Sequence, residues 1–298
     1  MQVLANAQSP AQVIAAIEAN TWAYWASHSA TPGTEMGREE DRVWIRSGRP
    51  CPITNCVMWA DFSPDSADQR IAETQALYRP VGVPSALRGS AWAGAASGDR
   101  FVGDGQNAKG VPFLWSVGPS SRPDDLGRRL IAHEIRHTGD EPGMAVELHL
   151  LPGEWSSPAG LAIQRVEDAR MLRRWVDTYV AGFEMPAGWH KDLLAWEADS
   201  GDAERGRRVQ YLGLVRDRPV ATAQLLLGGG VAGLYGLATL PHARGQGIGT
   251  AMNLFAMQQA LAMGYRVGVL FAAEMGRPLY RRLGFREYMV VSDYAWEP

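Results

Sequence analysis

Apolar positions along the chain alternate between helical and strand spacing. Within residues 10–26, Val13, Ile14 and Ile17 followed by Trp22 and Trp25 predict a helix. Residues 55–62 are an apolar run of strand length. Ser63-Pro64-Asp65 then supplies an N-cap and a proline at the first helical position, opening a helix to about Tyr78. A second strand is expected over 111–117, and a helix from Asp124 or Asp125 to about Ile135. The Gly- and Ser-rich stretch 89–110 reads as loop.

The second half is more regular. A strand over 161–166 precedes a helix over 168–181, carried by Met171, Leu172, Trp175, Val176 and Tyr179, and a shorter helix over 189–198. Runs 208–216 and 219–227 meet at Asp217-Arg218, and Gly228-Gly229-Gly230 turns the chain into a third run, 231–240. This predicts an antiparallel meander. A long helix (246–263), a strand (265–272), a short helix (275–283) and a final strand (285–294) follow. The crossover helix after the meander makes two neighbouring strands parallel. Between the halves, Leu151-Pro152-Gly153 through Ser156-Ser157-Pro158-Ala159-Gly160 combines breakers with small polar residues, so the domains are expected at 1–152 and 160–298.

A length of 298 residues suits two domains, and 46% hydrophobic with 20% charged residues is a globular balance. The formal net charge of −3 offers no electrostatic footprint for nucleic acid or an anionic membrane. The only cysteines, Cys51 and Cys56, make neither a disulfide framework nor a zinc knuckle, which fits a reducing cytoplasm. No signal peptide and no membrane-spanning run are expected.

The candidate chemistry begins at Arg244-Gly245-Gln246-Gly247-Ile248-Gly249, between an uncharged strand and a helix. Alternate glycines let backbone approach a ligand, and the free N–H groups of a helix start form an anion site. Arg244 adds a charge able to bind a phosphate with two hydrogen bonds, and Thr250 adds a hydroxyl. The implied ligand is a diphosphate. The third glycine is misplaced for a dinucleotide fingerprint, and no acidic residue follows until Glu274. A Walker lysine is also absent.

Three blocks together are more specific. Leu237-Ala238-Thr239-Leu240-Pro241, then Arg244-x-x-Gly247-x-Gly249, then Leu279-Tyr280-Arg281-Arg282-Leu283-Gly284-Phe285 resemble the GNAT superfamily of acyl-CoA N-acyltransferases, over about 161–294. The resemblance implies a GNAT fold: an α/β (α+β) chain with a mixed, mostly antiparallel sheet and helices on both faces. It implies acetyl-CoA as cosubstrate, with its pantetheine arm between splayed strands beside Leu237, Ala238 and Thr239. Its pyrophosphate would rest on Gly245, Gln246, Gly247, Ile248, Gly249 and Thr250. Tyr280 matches the family's proton donor to the departing thiolate. The chemistry implied is direct attack by a primary amine of a small molecule or peptide. The general base is open among Glu184, His190, Glu197, Glu274 and a water chain.

The first half contains His133-Glu134-Ile135-Arg136-His137, a literal zincin signature on a predicted helix, with His149 or Glu154 as the only third ligands. Against zinc, Thr138-Gly139-Asp140-Glu141-Pro142-Gly143 stops the helix at once. Residues 126–146 also fall where 276–290 fall in the second half, with Glu134-Ile135 at the place of Gly284-Phe285. The first half therefore resembles the degenerate N-terminal copy of two-domain GNAT proteins, with no cofactor loop and no metal expected. Two roles are open to it: walling the acceptor cleft or forming a homodimer contact. The tryptophans Trp22, Trp25, Trp44, Trp59, Trp92 and Trp115 read as packing, and 205–208 as a solvated basic loop. The sequence thus points to an N-acetyltransferase. The rivals are a non-catalytic CoA-binding protein, a transferase of longer acyl groups and a zinc metallohydrolase.

Overall fold

The computed structural model describes residues 4, 9–79, 110–153, 155–198 and 206–298. Residues 89–109 of the expected Gly-rich loop lie outside the described residues. The first helix, α1 (Pro10–Ala26), starts where the pattern placed it, with Pro10 at its first position and the Ser9 N–H donating to the Gln12 side chain (3.0 Å). Two short strands not anticipated from the sequence follow, β1 (Glu35–Arg38) and β2 (Arg42–Arg46). Then come β3 (Asn55–Ala60), α2 (Ala67–Tyr78), β4 (Phe113–Val117), α3 (Leu126–Ala132) and β5 (Arg136–Glu147).

The second half runs β6 (Leu161–Arg165), α4 (Ala169–Gly182), α5 (His190–Ala198), β7 (Arg208–Val215), β8 (Arg218–Gly228) and β9 (Val231–Thr239). It ends with α6 (Ile248–Ala262), β10 (Val267–Phe271), α7 (Arg277–Arg282) and β11 (Arg286–Trp296). This is the element order that the periodicity predicted. The Asp168 carboxylate caps α4 by accepting from the Met171 N–H at 2.6 Å.

The eleven strands among the described residues join one sheet, in the order β1-β2-β3-β4-β11-β5-β10-β9-β8-β7-β6. Among the described strands only β3·β4 and β9·β10 pair in parallel, so the sheet is mixed and mostly antiparallel. The two halves are interleaved at its centre. β10 and β11 are joined through α7 but do not pair: β5 of the first half lies between them, antiparallel to both. In the same way β4 and β5 are joined through α3, and β11 of the second half lies between them. Each half leaves a slot one strand wide, and the other half fills it.

The halves match in detail around this exchange. In the second, Gly284 has φ +92° and the Phe285 N–H donates to Tyr280 O (3.0 Å). In the first, Glu134 has φ +63° and the Ile135 N–H donates to Leu130 O (2.9 Å). Leu130 therefore stands where the second half has Tyr280. This overturns the helical placement of the zincin signature. His133 closes α3, Glu134 is left-handed, and His137 lies on β5. The two histidines share no helix face, and each has its own carboxylate, Asp68 for His133 and Asp140 for His137. Among the described residues no group of side chains is arranged to hold a metal ion.

Helices cover both faces, as the alternation along β10 requires. Val267 and Val269 pack with Val13 and Ile17 of α1, whereas Leu270 packs in the cluster that holds Met252 and Met257 of α6. The helix α1 lies close against the second half. Asn20 Nδ2 donates to the carbonyls of Leu226 (3.2 Å) and Gly228 (2.8 Å), and its Oδ1 accepts from the Tyr235 hydroxyl (2.8 Å). A side chain at Gly233 would strike Asn20 Oδ1 at 2.0 Å, so glycine there permits the contact. No helix among the described residues is long and apolar enough to cross a membrane.

Candidate active site

The strand β9 pairs with β10 only at Ala232, Gly233 and Leu234, and beyond them the two strands separate. On its other side β9 continues along β8, interrupted by an irregularity at Gly236, whose φ is +56°. The Leu240 N–H donates to Val220 O, and Ala238 lies opposite Thr222. Alternation then turns the N–H and C=O of Leu237 and Thr239 away from β8, into the gap. An extended chain entering the gap would find the Leu237 groups and the Thr239 N–H there, while the Thr239 C=O accepts from Arg244.

The gap leads to the glycine loop. Gly245 and Gly247 have φ of +74° and +79°, and Gly247 is the N-cap of α6. Nothing lies within 4 Å of a Cβ placed on Gly245. The first helical backbone bond from the loop runs from Ala251 to Gly247, which leaves the N–H groups of Ile248, Gly249 and Thr250 at the positive end of the helix. Leu237, Ala238, Thr239, Arg244, Gly245, Gly247, Ile248, Gly249 and Thr250 all border one cavity of about 900 Å³. Gln246 does not, and its side chain donates to His242 O (3.2 Å).

Arg244 differs from expectation. Its guanidinium donates to Thr239 O (3.1 Å) and Gly182 O (2.8 Å), and it pairs with Glu184 (3.1 Å). It therefore fastens the loop to the end of α4, and a two-pronged phosphate clamp is not its geometry.

Tyr280 on α7 also borders the cavity and is 7% exposed. Its ring lies over Gly276, where a Cβ would meet Cε2 at 2.8 Å, and edge-on to Phe285. Burial, with the nearby Glu141 carboxylate, pushes its hydroxyl up to about 12, so it keeps its proton.

The sequence reading missed the opposite wall. Glu141 comes from β5, the strand lent by the first half. It faces Val291 across the ladder to β11, and Asp293, two residues further along β11, shares that face. Burial and the Asp293 charge raise the Glu141 carboxyl. Burial also raises Asp293, while Ser116 Oγ donates to it at 2.6 Å. Glu18, Trp22 and Trp25 of α1 complete this end of the cavity. The first half therefore walls the cleft.

Of the four side chains considered for general base, only Glu184 reaches the cavity, and it is paired with Arg244. His190 pairs with Asp177. Glu197 is buried against Arg208 and His28, so Arg208 belongs to the interior and not to a solvated loop. The signal that could have found Glu141 was the repeat itself, because it makes 136–147 a strand equivalent to the last one.

A sheet that parts beside a glycine turn, with a buried phenol in the gap, makes room for an extended ligand with an anionic group at the turn. Residues 203–287 match the GNAT acetyltransferase domain family. No curated protein is significantly similar in sequence. A GCN5-related N-acetyltransferase from Kribbella flavida is similar in fold, with TM-score 0.63 at 18% identity, 94% of this chain and 96% of that one being covered. A conserved protein of unknown function from Staphylococcus epidermidis superposes with TM-score 0.63 at 13% identity, over 90% and 95% of the two chains. A tandem GNAT protein from the clavulanic acid biosynthesis pathway gives 0.56 at 12% identity, over 92% and 87%. Residues 203–287 are thus similar to a GNAT acetyltransferase domain, and the whole chain shares its fold with tandem GNAT proteins.

Proposed function

We propose that this protein transfers an acetyl group from acetyl-CoA to a primary amine by direct attack. The observation that carries the reading is that one cavity joins the glycine turn, the open edge of β9, the Tyr280 phenol and the Glu141 carboxylate. The residues present fit the cosubstrate. The N–H groups from Gly245 to Thr250 suit a pyrophosphate, and the outward backbone groups of Leu237 with the Thr239 N–H suit the amides of an extended arm.

Each residue then has a task. Glu141, in its ionised form, accepts the proton that the attacking amine must lose. Tyr280 donates a hydrogen bond to the sulfur as the carbon–sulfur bond breaks, offsetting the negative charge that develops there. The proton removed at nitrogen finally balances the released thiolate.

The first half contributes its wall and Glu141, but its own corresponding cleft is filled. Where β3 and β4 separate, the Arg122 N–H donates to Ala60 O (2.8 Å) and the Phe62 N–H to Arg122 O (3.2 Å). These bonds use the backbone groups that a pantetheine arm would need. The test is amine-dependent release of CoA thiol, with Tyr280→Phe as the diagnostic variant. Acetyl-CoA binding without thiol release from any amine would favour a non-catalytic CoA-binding protein.

A further inference from the structure

The two ends of the cavity carry opposite charge. Among the described residues both bordering arginines, Arg244 and Arg282, come from the loop and α7, the cofactor side. Glu184, also on that side, is paired with Arg244. The other three bordering carboxylates, Glu18, Glu141 and Asp293, come from α1, β5 and β11. Among the described residues none of these three forms an ion pair with Lys, Arg or His; His137, which also acts on Asp293, is itself paired with Asp140. Ser116 Oγ donates to Asp293, and the Ser120 N–H donates to Glu18 (3.1 Å).

Glu141 and Asp293 are near enough for the Asp293 charge to raise Glu141, and partly buried carboxylates without an ion-pair partner are costly to desolvate. One carboxylate would serve the base role. A second and a third need another explanation, and a positively charged ligand supplies it. Trp22 and Trp25 border the same cavity, and indole rings suit the apolar body of a chain and an ammonium at its end.

We infer that the inner end of the cavity is a subsite for an acceptor with two positive charges, one on the amine to be acetylated and one held at Asp293 with Glu18. This rests on the acetyltransferase reading for the role of the first amine, but not for the site itself. The acceptor class is a diamine or polyamine with an aliphatic spacer. An amine bearing a carboxylate is excluded by repulsion, so free amino acids are poor acceptors.

The test is calorimetric titration of the whole chain with three probes, without cofactor: cadaverine, pentylamine, and aminocaproate, in which a carboxylate replaces the second ammonium. Acetyl-CoA is titrated in parallel. Cadaverine should bind about tenfold or more tighter than pentylamine, and aminocaproate should not bind. Asp293→Asn should remove the preference for cadaverine while leaving acetyl-CoA affinity unchanged. If that variant does not fold, Glu18→Gln decides, with cadaverine weakened severalfold in support. Equal binding of cadaverine and aminocaproate, or a preference that survives both substitutions, overturns the subsite. Cadaverine binding without acetyl-CoA binding would keep the subsite and overturn the transferase reading instead.

Discussion

At the residue scale, the account turns on Tyr280 and Glu141, contributed by different halves. The Tyr280 hydroxyl is pushed up to about 12 by burial and by Glu141, so it stays a donor throughout the working range. Tyr280→Phe keeps the ring and its edge contact with Phe285 but removes the hydrogen bond to sulfur. Turnover should fall by about 10²-fold with acetyl-CoA affinity unchanged, as measured by steady-state kinetics and direct titration. The pH dependence follows from Glu141. Its carboxyl is raised by burial and then by the Asp293 charge, and only the ionised form accepts a proton. Activity should therefore rise with pH through a value above the ordinary glutamate range of about 4.3. Asp293→Asn removes a negative neighbour, so the rising limb should move to lower pH. A limb that does not move would separate Asp293 from the base. The loop, strand edge and Tyr280 were legible in the sequence because their chemistry is local. Glu141 and Asp293 were not, because what brings them into the cavity is pairing between strands some 150 residues apart.

At the element scale, the ends of α3 and α7 show how one turn is built from different residues. Both chains leave their helix through a left-handed residue and return an N–H to the helix from the next one. The second half uses Gly284 and the first uses Glu134. A non-glycine residue in this conformation costs about 1–2 kcal/mol, partly offset in a glycine variant by greater freedom of the unfolded chain. Glu134→Gly should raise the midpoint of thermal unfolding by about 1–2 °C, and a lower midpoint would contradict the shared turn. This explains why the zincin spacing is a decoy, as the match of Glu134-Ile135 with Gly284-Phe285 implied. Five residues of the right types were placed on one helix, but the helix ends at the first histidine. Without glycine at position 134, the sequence carries no overt stop signal there.

At the scale of the whole molecule, the sheet order matters more than the linker. Element order in the second half could be read from periodicity, and the Pro- and Gly-rich stretch suggested a break between halves. The antiparallel meander and the parallel β9·β10 pair could be read too, but the pairing of β5 and β11 could not, since nothing in them marks which neighbour each takes. With β5 inserted beside β10, residues 160–298 alone would lack both the strand that fills their slot and the Glu141 side chain. Produced alone, this segment should be unfolded or aggregated, because the apolar edge of β10 is left unpaired. Mixing it with residues 1–152 should restore folded structure and activity together, as followed by circular dichroism and turnover. A folded, fully active 160–298 fragment would contradict the exchange.

The central claim, that this cavity acetylates an amine, is tested most directly by CoA thiol release from acetyl-CoA with cadaverine. The account predicts release that depends on the amine, equals the acetylated product in amount, and is lost in Tyr280→Phe. Release at the same rate without amine, or in Tyr280→Phe at the rate of the unaltered protein, would contradict it.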